Sequence, residues 1–177
     1  MVDFILKNVP ILVTSLLTAY LAHFFTVRKI KLQRQNKAKF VASNLAFKLE
    51  KFAVEVAKDN QLVKVQNNSN GMLGDPMFRI PELGKVENFE ELEALPNDLF
   101  NAVMEIIAEV DYSQSDANFW GFVEGEFSKD ESLEVHSNRL ALKALNTADR
   151  LRRHFNGNPR PLVFHKWDAR KAINELK

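Results

Sequence analysis

Between Asn8 and Val27 the chain carries no Asp, Glu, Lys or Arg for twenty residues, and basic residues crowd in directly behind. No other feature restricts the fold as much. Val9, Ile11, Leu12, Val13, Leu16, Leu17, Tyr20, Leu21, Phe24, Phe25 and Val27 make the stretch predominantly apolar. As a helix rising 1.5 Å per residue it is about 30 Å long, the thickness of a bilayer's hydrocarbon core. Its apolar residues fall all round that helix, so a position on a soluble surface leaves it no wet face. Pro10 suits the first turn, where its missing N–H is not needed.

Arg28, Lys29, Lys31, Arg34, Lys37 and Lys39 follow, and no acidic residue occurs between Asp3 and Glu50. A Lys/Arg excess beside a span marks the cytoplasmic side and predicts contact of these six residues with lipid headgroups. The expected topology is a short extracytoplasmic N-terminus (1–8), a transmembrane helix (9–27) and a cytoplasmic C-terminal domain on the plasma or inner membrane. Other readings compete. A cleaved signal peptide lacks support, because Asp3 and Lys7 cancel and the stretch ends in His23-Phe24-Phe25-Thr26-Val27 without a small-residue cleavage site. A buried core helix or an amphipathic surface anchor stays open, because Thr14, Ser15, Thr18, His23 and Thr26 make the segment only moderately apolar.

Thr14, Thr18, Ala22 and Thr26 recur every four residues, with Ser15 and Ala19 beside them. Such a stripe lets helix backbones approach closely in lipid and predicts a homo-oligomer packed through these six residues. The plainer reading is that small residues are simply tolerated there. His23 lies four residues from the end of the stretch, which places it at headgroup level rather than in the hydrocarbon.

The 177 residues, 46% of them hydrophobic, suffice for one sizeable core. A formal net charge of +1 excludes a globally basic nucleic-acid binder, so nucleic acid is not an expected partner. Zero cysteines exclude disulfide scaffolds, thiol nucleophiles, Cys-ligated zinc and iron–sulfur clusters.

No Gly or Pro occurs between Pro10 and Gly71, so one helix can leave the apolar stretch unbroken. If it runs from about Ile11 to Lys64 it is about 80 Å long. Residues 28–64 form a basic juxtamembrane segment and the first bundle helix, with Val41, Leu45, Leu49, Phe52 and Val56 as its inward stripe, flanked by Phe40, Ala42, Ala46 and Ala53. Gly71, Gly74, Pro76, Pro81 and Gly84 predict a loop over 65–87. Residues 88–177 supply the remaining helices. Asn88 with Glu91 resembles a capping box before Leu95-Pro96, and a longer helix starts near Pro96 with Leu99, Val103, Ile106 and Val110 inward, widened by Phe100 and Ile107. Ser128 with Glu131 predicts the start of the next helix, which Asn156-Gly157 closes. Its inward face reads Ala141, Ala144, Ala148, Leu151 and Phe155, beside Leu140 and Leu145. A last helix is expected over Trp167–Leu176. No segment alternates with a period of two. The expected fold is mainly α: a single transmembrane helix continuing into a cytoplasmic antiparallel helical bundle.

Charge is segregated along the chain. Residues 1–58 carry ten basic and three acidic groups, 82–134 two and fifteen, and 135–177 ten and three. Opposite blocks in one bundle should neutralise each other; an acidic surface offered to a cytoplasmic protein partner is the alternative. Arg139, Lys143, Arg150 and Arg153 share one helix face, a candidate anion-binding ridge or an acid-paired surface. No zinc or di-iron spacing involves His136, His154 or His165. Glu105 and Glu109 lie one turn apart, but isolated carboxylates at that spacing are ordinarily solvated. Neither a P-loop, a nucleophile elbow nor a dinucleotide turn is present, which argues against an enzyme, and no cofactor or metal is implied. Three functions remain: a membrane-anchored interaction protein, a membrane-disrupting effector whose oligomerised spans form a pore, and a membrane-tethered enzyme acting on a phosphorylated substrate near Arg150 and His165.

Overall fold

The computed structural model describes residues 2–69, 72, 78–84 and 92–175, with side chains at all of these except 2–12 and 127. One uninterrupted helix, α1, runs from Val2 to Asn67. It passes three residues beyond the expected end because nothing before Gly71 interrupts helical geometry. Helices α2 (Asn97–Glu124) and α3 (Glu126–His154) form a hairpin, and a short helix, α4 (Ala169–Asn174), ends the described chain. The fold is mainly helical, with three long helices.

A single residue joins α2 to α3. Gly125 sits at φ 102° and ψ 178°, a backbone conformation that L side chains rarely adopt. The next helix therefore begins at Glu126, not at Ser128. The hydroxyl of Ser128 donates instead to Glu124 Oε2 at 3.0 Å, so the expected capping box does not form. The other expected box, at Asn88 and Glu91, lies outside the described residues.

Both α1 and α2 pack on α3. Asn60 on α1 bonds Asn138 on α3, and Glu50 bonds Arg152, so residue numbers fall along one helix as they rise along the other and the two run antiparallel. Alanines are prominent in the core these helices share: Ala42, Ala46, Ala53 and Ala57 of α1 and Ala141, Ala144 and Ala148 of α3 are all buried in it. Phe52, Leu49 and Val56 from α1, Leu99, Val103 and Ile106 from α2, and Leu140 and Leu151 from α3 complete the core. From the connection between α1 and α2, Leu92 and Leu95 join this core, with Ile80 and Leu83 packed against it. Phe40 departs from the sequence reading. It is 69% exposed, one position off the buried stripe that begins at Ala38 and Val41.

The C-terminal region also departs from expectation. In place of a single helix from Trp167, a short hairpin precedes α4: β1 (Val163–Phe164) pairs antiparallel with β2 (Trp167–Asp168). His165 makes the turn at φ 55°, and Asp168 caps α4 by accepting from the Lys171 N–H. Strands this short leave no alternation in the sequence to detect. Arg170 clamps the region to α3, with both terminal nitrogens on the Asp149 carboxylate and Nε donating to the Arg160 carbonyl.

The expected membrane span receives no such support. Among the described residues, no helix is long and apolar enough to cross a membrane. The first four residues of the expected 9–27 span have no described side chains. Between Val13 and Val27 the apolar residues are punctuated by hydroxyls and His23, and Arg28 and Lys29 follow at once.

Candidate functional site

Every residue from Val13 to Lys37 is exposed, and burial begins abruptly at Ala38. The first part of α1 therefore stands clear of the bundle, with Leu16 at 70%, Tyr20 at 67% and Phe25 at 61% exposure. The contacts described over those residues are local ones within the helix. Thr18 donates its hydroxyl to the Thr14 carbonyl at 2.8 Å and Thr26 donates to Ala22 at 2.7 Å, so these hydroxyls are satisfied within their own helix. Phe24 and Phe25 meet edge to face. Thr14, Thr18, Ala22 and Thr26, with Ser15 and Ala19, thus lie on a helix surface that no other part of the described chain covers. Arg28, Lys29, Lys31, Arg34, Lys37 and Lys39 occupy the next four turns, all exposed.

The charge blocks meet across the bundle. Lys143 on α3 reaches between Glu105, at 2.7 Å, and Glu109 on α2. Burial works against the charge on Lys143, but hydrogen bonds to the two glutamates outweigh it and raise its pKa. The same ammonium holds Glu105 below the usual carboxylate range. The two carboxylates one turn apart thus converge on an internal cation. Arg150 pairs with Asp98 at 3.2 Å, and Arg139 approaches His136 Nδ1 at 3.3 Å. Of the ridge Arg139, Lys143, Arg150 and Arg153, two members are engaged by α2 carboxylates. Arg153 has no ion pair among the described residues.

A second polar group lies further along the hairpin. Asp116 accepts from His136 Nε2 at 2.9 Å and from the Ser132 hydroxyl at 3.2 Å, with the Tyr112 ring edge-on to the imidazole. The His136 hydrogen bond, against opposing desolvation, holds the Asp116 carboxyl below its ordinary pKa. Nearby, Ser113 is buried and its hydroxyl has no partner among the described residues. Beyond this group the hairpin tip exposes Phe119, Phe122 and Val123, flanked by exposed Glu124 and Glu126.

Glu50 and Arg152 join α1 to α3 through two hydrogen bonds of 2.6 and 2.7 Å, with Glu50 only 2% exposed. Nothing in the local sequence signals this pair, because its members lie 102 positions apart. The residues considered for phosphate-ester chemistry lie on separate elements: Arg150 faces Asp98 on α2, while His165 is exposed in the β1–β2 turn. Among the described residues no cluster of His and carboxylates is arranged to hold a metal ion. The chain matches no known protein family, no curated protein and no solved structure.

Proposed function

We propose that this chain is a single-pass, membrane-anchored helical protein whose bundle binds another protein. Residues 9–27 sit in the bilayer, the N-terminus faces out, and the bundle lies in the cytoplasm on the plasma or inner membrane. One observation carries the reading: the α1 segment beyond the bundle exposes Val13, Leu16, Leu17, Tyr20, Leu21, Phe24, Phe25 and Val27 on all sides. A lone helix with an apolar circumference has nothing to hold it helical in water, whereas lipid both solvates its side chains and enforces its backbone hydrogen bonds. Adjoining basic residues then meet the headgroups.

Self-association along Thr14, Ser15, Thr18, Ala19, Ala22 and Thr26 fits the same picture. The hydroxyls of Thr18 and Thr26 already bond within their helix, which favours a packing surface over a water-lined pore. For the bundle, the partner surface is the hairpin tip, where Phe119, Phe122 and Val123 beside Glu124 and Glu126 suit a basic, apolar partner.

Alkaline carbonate extraction of membranes containing the full chain, followed by crosslinking of the pellet, tests the anchor and the oligomer. The expected result is retention in the pellet and a crosslinked ladder that Leu replacements at Thr14, Thr18 and Thr26 weaken. Recovery as a monodisperse species without detergent would overturn the reading.

A further inference from the structure

At the base of the bundle, on the side from which α1 projects, a crevice of about 660 Å³ separates α1 from the ends of α2 and α3. Its polar wall comprises Arg34, Lys39 and His154, with the amides of Gln35, Asn36 and Asn156. Among the described residues, no carboxylate lines it. This contrasts with Lys143, Arg150 and Arg152 on α3, each of which is matched to an acid. Among the described residues, Arg34, Lys39, His154 and neighbouring Arg153 have no such match. Two cationic side chains without an acid partner among the described residues thus share the crevice with an imidazole.

Position selects the source of the anion. Arg34 is six residues along α1 from Arg28, about 9 Å of helix, so on the membrane reading above the crevice opens at the outer edge of the headgroup layer. We propose that it binds the phosphate of an anionic lipid headgroup, with Arg34 and Lys39 as the charged contacts and the three amides as hydrogen-bond donors. A phosphate monoester, which stands clear of the glycerol and carries more charge than a phosphodiester, is the preferred chemistry. The C-terminal end of α3 opposes an anion with roughly half a negative charge. Two formal positive charges on α1 outweigh it, and the Arg152 and Arg153 carbonyls are already occupied by the N–H groups of Phe155, Asn156 and Gly157.

This proposal rests on the membrane reading, and the two fail differently. Full-length chain in detergent micelles is titrated with phosphatidic acid, phosphatidylcholine and inorganic phosphate, and retained ligand is counted by native mass spectrometry. Phosphatidic acid should be retained over phosphatidylcholine, and Arg34→Gln/Lys39→Gln should weaken that retention roughly ten-fold or more, as expected for two basic contacts. The control Lys64→Gln/Lys166→Gln removes the same charge outside the crevice and away from the basic run at 28–39, and should leave retention near wild type. All four positions are exposed, and a circular dichroism melt of each variant verifies the fold. Equal losses in both variants, or no preference between the lipids, would refute the crevice while leaving the anchor intact. Displacement of phosphatidic acid by equimolar inorganic phosphate would assign the site to free phosphate and refute the lipid. A chain that carbonate releases from membranes would defeat both readings together.

Discussion

Glu50 sets the stakes at the scale of single residues. A carboxylate this deeply buried is tolerable only while Arg152 supplies two hydrogen bonds and a countercharge, which also raise the arginine's pKa. Arg152→Ala strands the carboxylate, and urea unfolding should show a loss of roughly 3–5 kcal/mol. Replacing Glu50 and Arg152 together by Leu and Met should cost far less, since no charge is then left unpaired. Asp116 yields a pH prediction with a definite sign. Its folded pKa is depressed, so the stability it contributes is present above the ordinary aspartate value of ~3.9 and disappears as pH falls through the lower folded value. Melting temperature should therefore decline more steeply with acidification in the wild type than in Asp116→Asn. Ser113 predicts the opposite kind of effect: with no partner to lose, Ser113→Ala should leave the melting temperature unchanged or raise it.

Among the elements, the α2–α3 hairpin depends on one backbone conformation. A methyl at Gly125 meets no other atom within 4 Å, so Gly125→Ala should destabilise the fold purely through its positive φ, by about 1–2 kcal/mol in denaturant titration. The α1–α3 interface has the opposite vulnerability. Ala144 is fully buried in the core between the two helices, so Ala144→Leu has nowhere to place three extra carbons. That overpacking should cost about 1–3 kcal/mol. The stripes on α1, α2 and α3 were legible because helical spacing repeats within each element. Ser128 misled because a serine three residues before a glutamate resembles a cap wherever it stands, and only the Gly125 geometry reveals that the helix has already started.

The molecule as a whole divides at Ala38. Among the described side chains, every residue of the main hydrophobic cluster lies at or beyond Val41, and none belongs to the projecting part of α1. A fragment starting at Lys37 should accordingly fold on its own, with a melting temperature close to that of the full chain and no need of detergent. If that fragment unfolded or aggregated, the projecting helix would be contributing to the bundle after all. Basic residues at 28–39 were noticeable as a run, but the crevice they share with His154 and Asn156 required α3 to return to the place where α1 enters the bundle.

Local order is what the sequence determined unaided: a long helix free of Gly and Pro, the inward stripes, the segregated charge and the stop at Asn156-Gly157. These depend on neighbours within a few residues of one another. Tertiary structure alone decided which acid meets which base, that Phe40 stays outside while Ala38 is covered, and that Arg34 and Lys39 stand beside the end of α3 without an acid partner among the described residues. Such matters are fixed by how separate helices approach in space, and pairings across dozens of residues leave no periodic trace in the chain that makes them.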